Sequence, residues 1–412
     1  MCIQARIDLK SNYKKMKSLR ELYRIGKGPS SSHTIGPERA CRLFLQENPS
    51  ADSFKAVLYG SLAKTGIGHG TDAVIKSILN RVEIVCDENT LSLPHPNTMD
   101  LFAFQGDKEI GRMRIYSVGG GSIRIEGRSF DEGADVYTLQ NFSEIRRYCE
   151  RNGLRLSDYV FECEGPKIKE YLSRIWQAMK SAISAGLKAQ GVLPGGLGVE
   201  RKARLLYRQK HIDESAETRE NRLVCAYAFA VSEQNAAGET IVTAPTCGAC
   251  GVLPAVLRYV QEKRNFSDEQ ILRALAAGGL IGNLIKTNAS ISGAECGCQA
   301  EIGSACCMAA AALSELYEME LGQIEYASEI AMEHHLGLTC DPIAGLVQIP
   351  CIERNAVAAM RAINAVSLAD FLSDSRKISF DLVIRTMYET GKDLSRSYRE
   401  TAEGGLAKLY KK

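Results

Sequence analysis

A chain of 412 residues, 45% of them hydrophobic, is long enough to bury the cores of two domains. The 51 basic and 49 acidic residues nearly cancel, so the net charge gives no indication of binding to nucleic acid or to an acidic membrane surface. The charged N-terminal stretch lacks the apolar core of a signal peptide, and no apolar run is long enough to span a bilayer. We therefore expect a cytoplasmic protein without nucleic-acid or membrane partners.

The first part of the chain mixes helical periodicity with β-rich runs. The predicted helices are 18–25, 37–46 and 73–82, and the predicted strands are 54–62, 82–87, 101–106, 112–118 and 122–127. A glycine loop, AKTGIGHGTD, separates the first strand from the helix that follows it. This mixture predicts a small α/β domain over residues 1–145.

From residue 142 onward the pattern is almost entirely helical. The predicted helices are 143–153, 168–191, 218–236, 268–288 and 351–372, with glycine-rich loops at 192–199 and 245–251. We therefore predict the α+β class, in which the small N-terminal α/β domain precedes a larger, mostly α-helical domain over residues 146–412.

The stretch GPSSSHTIGP, residues 28–37, places three serines and His33 between two Gly-Pro pairs. Ser, Gly and Pro are typical of a solvated turn. Hydroxyls and backbone N–H groups before a helix are also typical of an anion cradle, in which His33 would move a proton. Taken alone, the loop favours the surface turn, and the anion cradle is the alternative.

The cysteines are concentrated in the second part of the chain, where eight of the 14 fall between Cys247 and Cys351. Cys298, Cys340 and Cys351 stand beside polar residues or helix breakers, in settings that favour a thiolate. Three thiolates from separate segments suit an iron–sulfur cluster or a zinc site. Because C-x-x-C occurs once only, spacing leaves a metal site and plain structural cysteines equally open.

Small polar residues surround these cysteines in the sequence. Four of them could orient a small polar substrate, namely Asn288, Ser290, Ser292 and Glu295. The alternative for each one is a helix cap or a loop hydrogen bond.

The chain closely resembles the iron–sulfur-dependent L-serine dehydratases of bacteria, in their single-chain form. The motifs that carry the resemblance are GPSSSHT, YGSLA, GHGTD, NASISGAE, EHHLGLTCDP and PCIERNA, and the similarity runs from about residue 20 to the end. The resemblance implies an L-serine ammonia-lyase, which converts L-serine to pyruvate and ammonia. It also implies that Cys298, Cys340 and Cys351 hold a 4Fe-4S cluster.

The same resemblance turns the serine loop into an expected part of the active site. Ser30, Ser31 and Ser32 would bind the substrate carboxylate or shape the pocket. His69 would act as the base, because flexible glycines flank it, and His33 would assist, although the two roles could be exchanged. We further expect a homodimer.

Three alternatives stay open. A related lyase could act on L-cysteine or L-threonine, and a non-catalytic sensor could use the same cluster. Pyridoxal phosphate could replace the cluster, with SVGGGS at 117–122 as phosphate loop and Lys286 as Schiff-base lysine. Those glycines lie between two strand-like runs, however, which favours a hairpin turn.

The chain departs from many relatives in two places. Those relatives carry a cysteine close to the C-terminus, whereas no cysteine follows Cys351 here, and Cys247 stands where better-known relatives have asparagine. We therefore expect water, hydroxide or a small anion on the iron that lacks a thiolate, with Cys247 as the one thiol that could take that place. The tail, which ends in Lys411 and Lys412, is expected to be a disordered end, with a lid as the alternative.

Overall fold

The computed structural model describes residues 16–90, 92–128, 133, 135–209, 213–372 and 376–410. The strands are β1 (Met16–Lys17), β2 (Ile25–Lys27), β3 (Ser53–Tyr59), β4 (Val82–Asp87), β5 (Thr98–Gln105), β6 (Lys108–Ser117), β7 (Ile123–Ile125), β8 (Asp135–Tyr137) and β9 (Thr240–Val242). The α-helices of the first half are α1 (Ile35–Glu47), α2 (Gly60–Thr65), α3 (Thr71–Ile78), α4 (Phe142–Asn152), α5 (Leu156–Glu164), α6 (Lys167–Lys188) and α7 (Ala203–Arg208).

The α-helices of the second half are α8 (Ala216–Ala236), α9 (Val252–Arg264), α10 (Asp268–Asn288), α11 (Gly293–Cys296), α12 (Ser304–Leu316), α13 (Leu321–Glu333), α14 (Cys351–Phe371), α15 (Phe380–Asp393) and α16 (Gly405–Leu409). Short 3₁₀ turns lie at Leu19–Glu21, Ile343–Gly345 and Arg396–Tyr398, and a π turn lies at Gln299–Gly303. A small mixed part thus precedes a larger helical part, which confirms the predicted α+β class.

A five-stranded sheet with the order β4-β3-β5-β6-β7 organises the N-terminal part. β3 and β4 run parallel, and the other neighbours are antiparallel. Every second residue of β3 is buried beneath α1 and α3, as the alternating pattern of a half-buried strand requires. β6 and β7 form a hairpin in which Ser117 pairs with Ile123, so the hairpin turn predicted at SVGGGS is confirmed.

The helical part is built around α12. All thirteen of its residues are buried, and most of them are small (SACCMAAAALSEL). A helix that is apolar on all sides must lie inside the protein, and α12 is packed by α9, α10, α13 and α14. Among the described residues, no helix combines the length and the apolarity needed to cross a membrane.

The segment before the serine loop differs from its prediction. Residues 18–25 form one 3₁₀ turn and the start of β2 rather than a helix, and β2 pairs with β9 of the helical part. Leu19, Leu22 and Tyr23 are buried in the large helical core, where they pack against glycines of α10. Tertiary burial of three large side chains therefore outweighs the local helical pattern. The domain boundary at residue 145 stays a prediction.

The tail differs from its prediction as well, because its described residues are folded against the segment around Cys340. The Cys340 N–H donates to the Tyr398 carbonyl at 2.8 Å, and the Glu400 N–H donates to the Cys340 carbonyl at 2.9 Å. Farther along, the Leu406 N–H donates to the Asp341 carboxylate at 2.9 Å. The expectation of a disordered end is wrong for residues 395–410. Lys411 and Lys412 lie outside the described residues.

Close packing of α6 on α8 makes a prediction about stability. A Cβ at Gly186 would lie 2.2 Å from the Ala230 carbonyl oxygen, which is backbone and cannot rotate away. Gly186→Val should therefore lower the free energy of unfolding by at least about 2 kcal/mol. Urea unfolding measures the change, with Ser181→Ala on the exposed face of the same helix as control. Equal stability of the two variants would contradict the close packing.

Candidate active site

Two clusters of buried, chemically active side chains lie where the tail meets the serine loop and the cysteine segments. In the first, His33, His69 and Glu400 each offer a ligand atom, and these atoms lie within 4.8 Å of one another. The rings of His33 and His69 meet edge to face, with their centroids 4.3 Å apart. Both histidines are fully buried. The fold thus brings together the two histidines that the sequence predicted as proton carriers.

His33 is held in one tautomer by its neighbours. Its Nε2 lies 2.9 Å from the Thr65 hydroxyl and 3.3 Å from both the carbonyl and the hydroxyl of Ser61. The Thr65 hydroxyl donates its hydrogen to the Ser61 carbonyl, and the Ser61 hydroxyl donates to the Glu400 carbonyl. All three partners are therefore acceptors, so Nε2 carries the hydrogen. Nδ1 is left as the basic nitrogen and accepts from the Ser30 hydroxyl at 3.1 Å.

His69 has no hydrogen-bond partner for either ring nitrogen among the described residues, although it is fully buried. An unpartnered buried polar group is costly, and such groups are typical of sites that await a ligand. His69 lines a cavity of about 550 Å³, to which Ile67, Gly195, Leu346 and Gln348 also contribute. The imidazole is therefore placed where a small molecule entering this cavity would meet it.

Burial sets the protonation states of this cluster. Loss of solvent lowers the pKa of His33 to about 4, and burial together with the neighbouring His33 lowers the pKa of His69 well below its ordinary value. Burial raises the pKa of Glu400 to about 8. Both imidazoles are thus neutral at neutral pH and have a lone pair available to accept a proton.

The second cluster contains the predicted metal ligands. Cys298, Glu301 and Cys340 each offer an atom within 4.8 Å of the others, and all three are buried or nearly so. A hydrogen bond from the Cys340 thiol lowers the pKa of Cys298, and the Arg354 guanidinium acts in the same direction. The same hydrogen bond raises the pKa of Cys340. The pair therefore behaves as one thiolate and one thiol.

Cys351 lies beside this pair at the first residue of α14, directly after Pro350, as its position after a helix breaker predicted. The neighbouring Cys298 sulfur adds to burial in raising the pKa of Cys351. One helical turn farther on, Arg354 is close enough to interact with the sulfurs of all three cysteines, and it also donates to the Thr339 carbonyl at 2.7 Å. The three predicted ligands thus converge on one place.

These residues fit a thiolate-bound metal group. A Cβ at Gly293, in the SGAE loop, would lie 2.8 Å from a Glu301 carboxylate oxygen and 3.2 Å from the Cys340 sulfur. Any residue larger than glycine at this position would therefore crowd the side chains of the second cluster. The donors are soft sulfur atoms, which iron–sulfur and zinc sites use, and Arg354 offsets the negative charge of thiolates. Every cysteine among the described residues is free.

The serine loop reaches the thiol cluster through Cys247. Burial raises the pKa of the Cys247 thiol, Cys250 and Glu301 act in the same direction, and a hydrogen bond with the Ser31 side chain opposes them. The influence of both Ser31 and Glu301 places Cys247 between the serine loop and the second cluster. Ser30 and Ser32 are buried in the same loop. GPSSSHTIGP is therefore a buried turn rather than a solvated one.

The predicted substrate contacts divide into two groups. Asn288 is exposed, and its amide donates to the carbonyls of Gln140 and Leu284, so it is occupied at the end of α10. Ser290 donates to Glu295, whose carboxylate lies 3.3 Å from His95 Nε2 of the sheet part. These contacts join the two parts of the chain. Ser292 is buried, and its hydroxyl has no partner among the described residues.

The pyridoxal phosphate alternative finds no support in the geometry. The Lys286 ammonium group donates to the Glu21 carbonyl at 2.9 Å and to the Ser122 hydroxyl at 3.0 Å. It therefore holds the 3₁₀ turn and the β6–β7 hairpin together. The glycines of SVGGGS form the turn of that hairpin and do not open a helix.

Comparison with known proteins agrees with this arrangement. The family model "Serine dehydratase beta chain" matches residues 18–83, and "Serine dehydratase alpha chain" matches residues 83–407. The chain is 42% identical to L-serine dehydratase TdcG of Escherichia coli (strain K12), over 95% of this chain and 99% of that protein. It is 41% identical to L-serine dehydratase of Streptomyces coelicolor, over 95% and 98%, and 39% identical to that of Haemophilus influenzae, over 95% and 99%.

The fold and the buried pocket define an α+β enzyme that combines histidines with thiols. More particularly, the chain belongs to the serine dehydratase family, and the resemblance that its motifs predicted is confirmed. Both family models match this one chain, so it unites what the two descriptions call the beta and alpha chains.

Several residues of the site were missed by the sequence analysis. Glu301 and Arg354 each stand three residues after a predicted ligand cysteine, and this spacing on a helical turn was a usable signal. Ser61, in YGSLA, and Thr65, in the adjoining AKTGIGHGTD, are four residues apart, which places them on one face of α2. Glu400 had no comparable signal, because it lies far along the chain from the histidines it contacts.

The neutral state of His33 makes a prediction about pH. In the unfolded chain this imidazole takes up a proton near pH 6.5, whereas the folded protein keeps it neutral down to about pH 4. The unfolded state thus binds more protons in this window, and stability falls as the pH falls through it. Between pH 7 and pH 5, His33 should remove about 2 kcal/mol from the free energy of unfolding.

Urea unfolding at the two pH values, in the parent and in His33→Gln, measures this contribution. The acid-induced loss should be smaller in the variant, whatever its stability at pH 7, because glutamine does not titrate. An identical loss in both proteins would show that His33 titrates normally in the folded state.

Proposed function

We propose that the chain is an L-serine ammonia-lyase, which converts L-serine to pyruvate and ammonia. One observation carries the proposal furthest: the fully buried His69 has no partner for either ring nitrogen in the part of the chain that the structure describes, and it lines a cavity. Relatives that are 39–42% identical over 95% of this chain and at least 98% of their own length are L-serine dehydratases, which supports L-serine as the substrate.

The proposed reaction requires one group that removes the α-proton and another that protonates the departing hydroxyl. When the α-proton is taken, its bonding electrons form the Cα=Cβ bond and the β-hydroxyl leaves, with a proton, as water. The aminoacrylate product tautomerises to the imine, and water hydrolyses the imine to pyruvate and ammonia. His69 is the proposed base, because its nitrogens are neutral and unpartnered.

His33 is the proposed second proton carrier. Its Nε2–H is tied to Ser61 and Thr65, so Nδ1 is the atom that exchanges a proton, with the Ser30 hydroxyl as its hydrogen-bond donor. The serine loop lies just before α1, and the dipole of this 13-residue helix favours an anion near its start. We propose that the loop binds the carboxylate of the substrate.

Cys298, Cys340 and Cys351 are the proposed ligands of a 4Fe-4S cluster. Their convergence, the adjacent Arg354 and the glycine at position 293 support this assignment. Such a cluster, when bound with one iron free of thiolate, supplies a Lewis acid for an oxygen of the substrate. Water, hydroxide or a small anion is proposed on that iron, and Cys247 stays the competing thiol.

The rivals make different demands on the site. A sensor or electron carrier needs no pair of buried histidines in contact, one of them lining a cavity, so this feature favours an enzyme. A cavity of about 550 Å³ is large for serine, and L-threonine and L-cysteine therefore stay alternative substrates. The homodimer and the cytoplasmic location stay predictions.

A keto-acid assay on anaerobically reconstituted protein tests the function. L-Serine should give pyruvate, and His69→Ala should lose roughly a hundredfold or more in kcat because it lacks the base, while its iron content is unchanged. Threonine, cysteine and the D-enantiomers serve as competing substrates. A parent protein that releases no keto acid from any of them would overturn the proposal, and a twofold effect at His69 would remove this residue from the reaction.

The ligand assignment has its own test. Cys298→Ala, Cys340→Ala and Cys351→Ala should each lose most of the bound iron and the visible absorption, because each removes one thiolate of three. Cys41→Ala, equally buried beneath the sheet in α1, is the matched control and should retain both. Iron analysis and absorption spectra are the measurements. Full iron in any of the three variants would contradict the assignment of that residue.

A further inference from the structure

The tail carries a carboxyl group into the active site. Glu400 is buried, and its Oε1 lies 3.8 Å from Nδ1 of His33. A carboxylate oxygen of Glu400 also lies within 4.8 Å of a ring nitrogen of His69. The sequence separates Glu400 from both histidines by more than 300 residues, so only the fold brings these groups together.

The backbone of Glu400 is fixed from two sides. Its N–H donates to the Cys340 carbonyl at 2.9 Å, and its carbonyl accepts from the Ser61 hydroxyl at 3.0 Å. The backbone of Glu400 has a φ of 58°, a left-handed conformation that residues other than glycine rarely adopt. Such a conformation persists when the surroundings determine it, and it is found preferentially at functional sites.

The carboxyl group itself does not anchor the tail. Among the described residues, the hydrogen bonds of Glu400 run through its backbone N–H and C=O. The neighbouring tail contacts, from Tyr398 to Cys340 and from Leu406 to Asp341, are independent of this side chain. A carboxyl group that is buried, aimed at a histidine and not needed for anchoring points to a role at that histidine.

The tautomer of His33 identifies what the role is. Because Nε2 carries the hydrogen toward Ser61 and Thr65, the basic Nδ1 is the nitrogen on the side of Glu400. A proton taken up at Nδ1 would leave a positive charge in a site without solvent. The Glu400 carboxyl group lies 3.8 Å from this nitrogen, and in its ionised form it offsets such a charge.

We propose that Glu400 is the positioning residue of His33: its carboxyl group lies beside Nδ1 and, when ionised, stabilises the imidazolium that forms when this nitrogen takes up a proton during turnover. The inference rests on the proposed function, since it assigns a partner to a proton carrier of that reaction. It makes the tail a working part of the site.

The test compares three substitutions in the reconstituted full-length enzyme. Glu400→Gln keeps the size of the side chain but cannot ionise, and Glu400→Asp keeps the carboxyl group. Glu403→Gln is the matched control, because Glu403 lies in the same tail with a half-exposed carboxylate that pairs with Lys64. For each protein, kcat and KM for L-serine, iron per chain and Tm are measured.

Glu400→Gln should lose roughly a hundredfold in kcat, with KM, iron content and Tm close to those of the parent. Glu400→Asp should recover at least about tenfold of that loss, and Glu403→Gln should match the parent.

Any of three results would overturn the inference: a kcat of Glu400→Gln within about threefold of the parent, equal kcat values for the Gln and Asp variants, or a loss that follows iron content or Tm. An inactive parent would instead overturn the proposed function, and this inference with it.

Discussion

The pairing of the tail with the Cys340 segment is the interaction on which the rest of the site depends. Two backbone hydrogen bonds of 2.8 and 2.9 Å join Cys340 to Tyr398 and Glu400. The Ser61 hydroxyl donates to the Glu400 carbonyl, so the same tail is also joined to α2, the helix whose Ser61 and Thr65 accept from His33 Nε2. One short stretch of backbone thus connects the N-terminal part, the thiol cluster and the C-terminus. The same stretch holds the Glu400 carboxyl group beside His33.

Exclusion of water gives these groups their chemical character. Burial keeps His33 and His69 neutral, so each imidazole retains a lone pair at neutral pH. The thiol cluster differs, because Arg354 and a hydrogen bond from Cys340 favour a thiolate at Cys298 in spite of burial. Neutral bases and a charged sulfur donor therefore lie side by side. In a solvated cleft the imidazoles and the Cys298 thiol would move toward their ordinary pKa values, and the difference between neutral bases and a charged sulfur would diminish.

The two family models divide the chain within this site. Both histidines lie in the residues matched by the beta-chain model, and the three ligand cysteines and Glu400 lie in those matched by the alpha-chain model. The models meet at residue 83, inside β4, whereas the sheet continues to Ile125. The site is therefore shared between the two matched regions. The pairing of β2 with β9 also joins the two matched regions.

The amino-acid sequence by itself determined the α+β class, the long helices, the β6–β7 hairpin and the family, because periodicity, turn residues and long motifs are local signals. It also singled out the two histidines and three cysteines that converge in the structure. Only the tertiary structure decided that residues 18–25 enter the helical core, that Asn288 faces outward and that the tail reaches His33. Burial, hydrogen-bond partners and the approach of Glu400 depend on segments far apart in the chain, and no local pattern specifies such contacts.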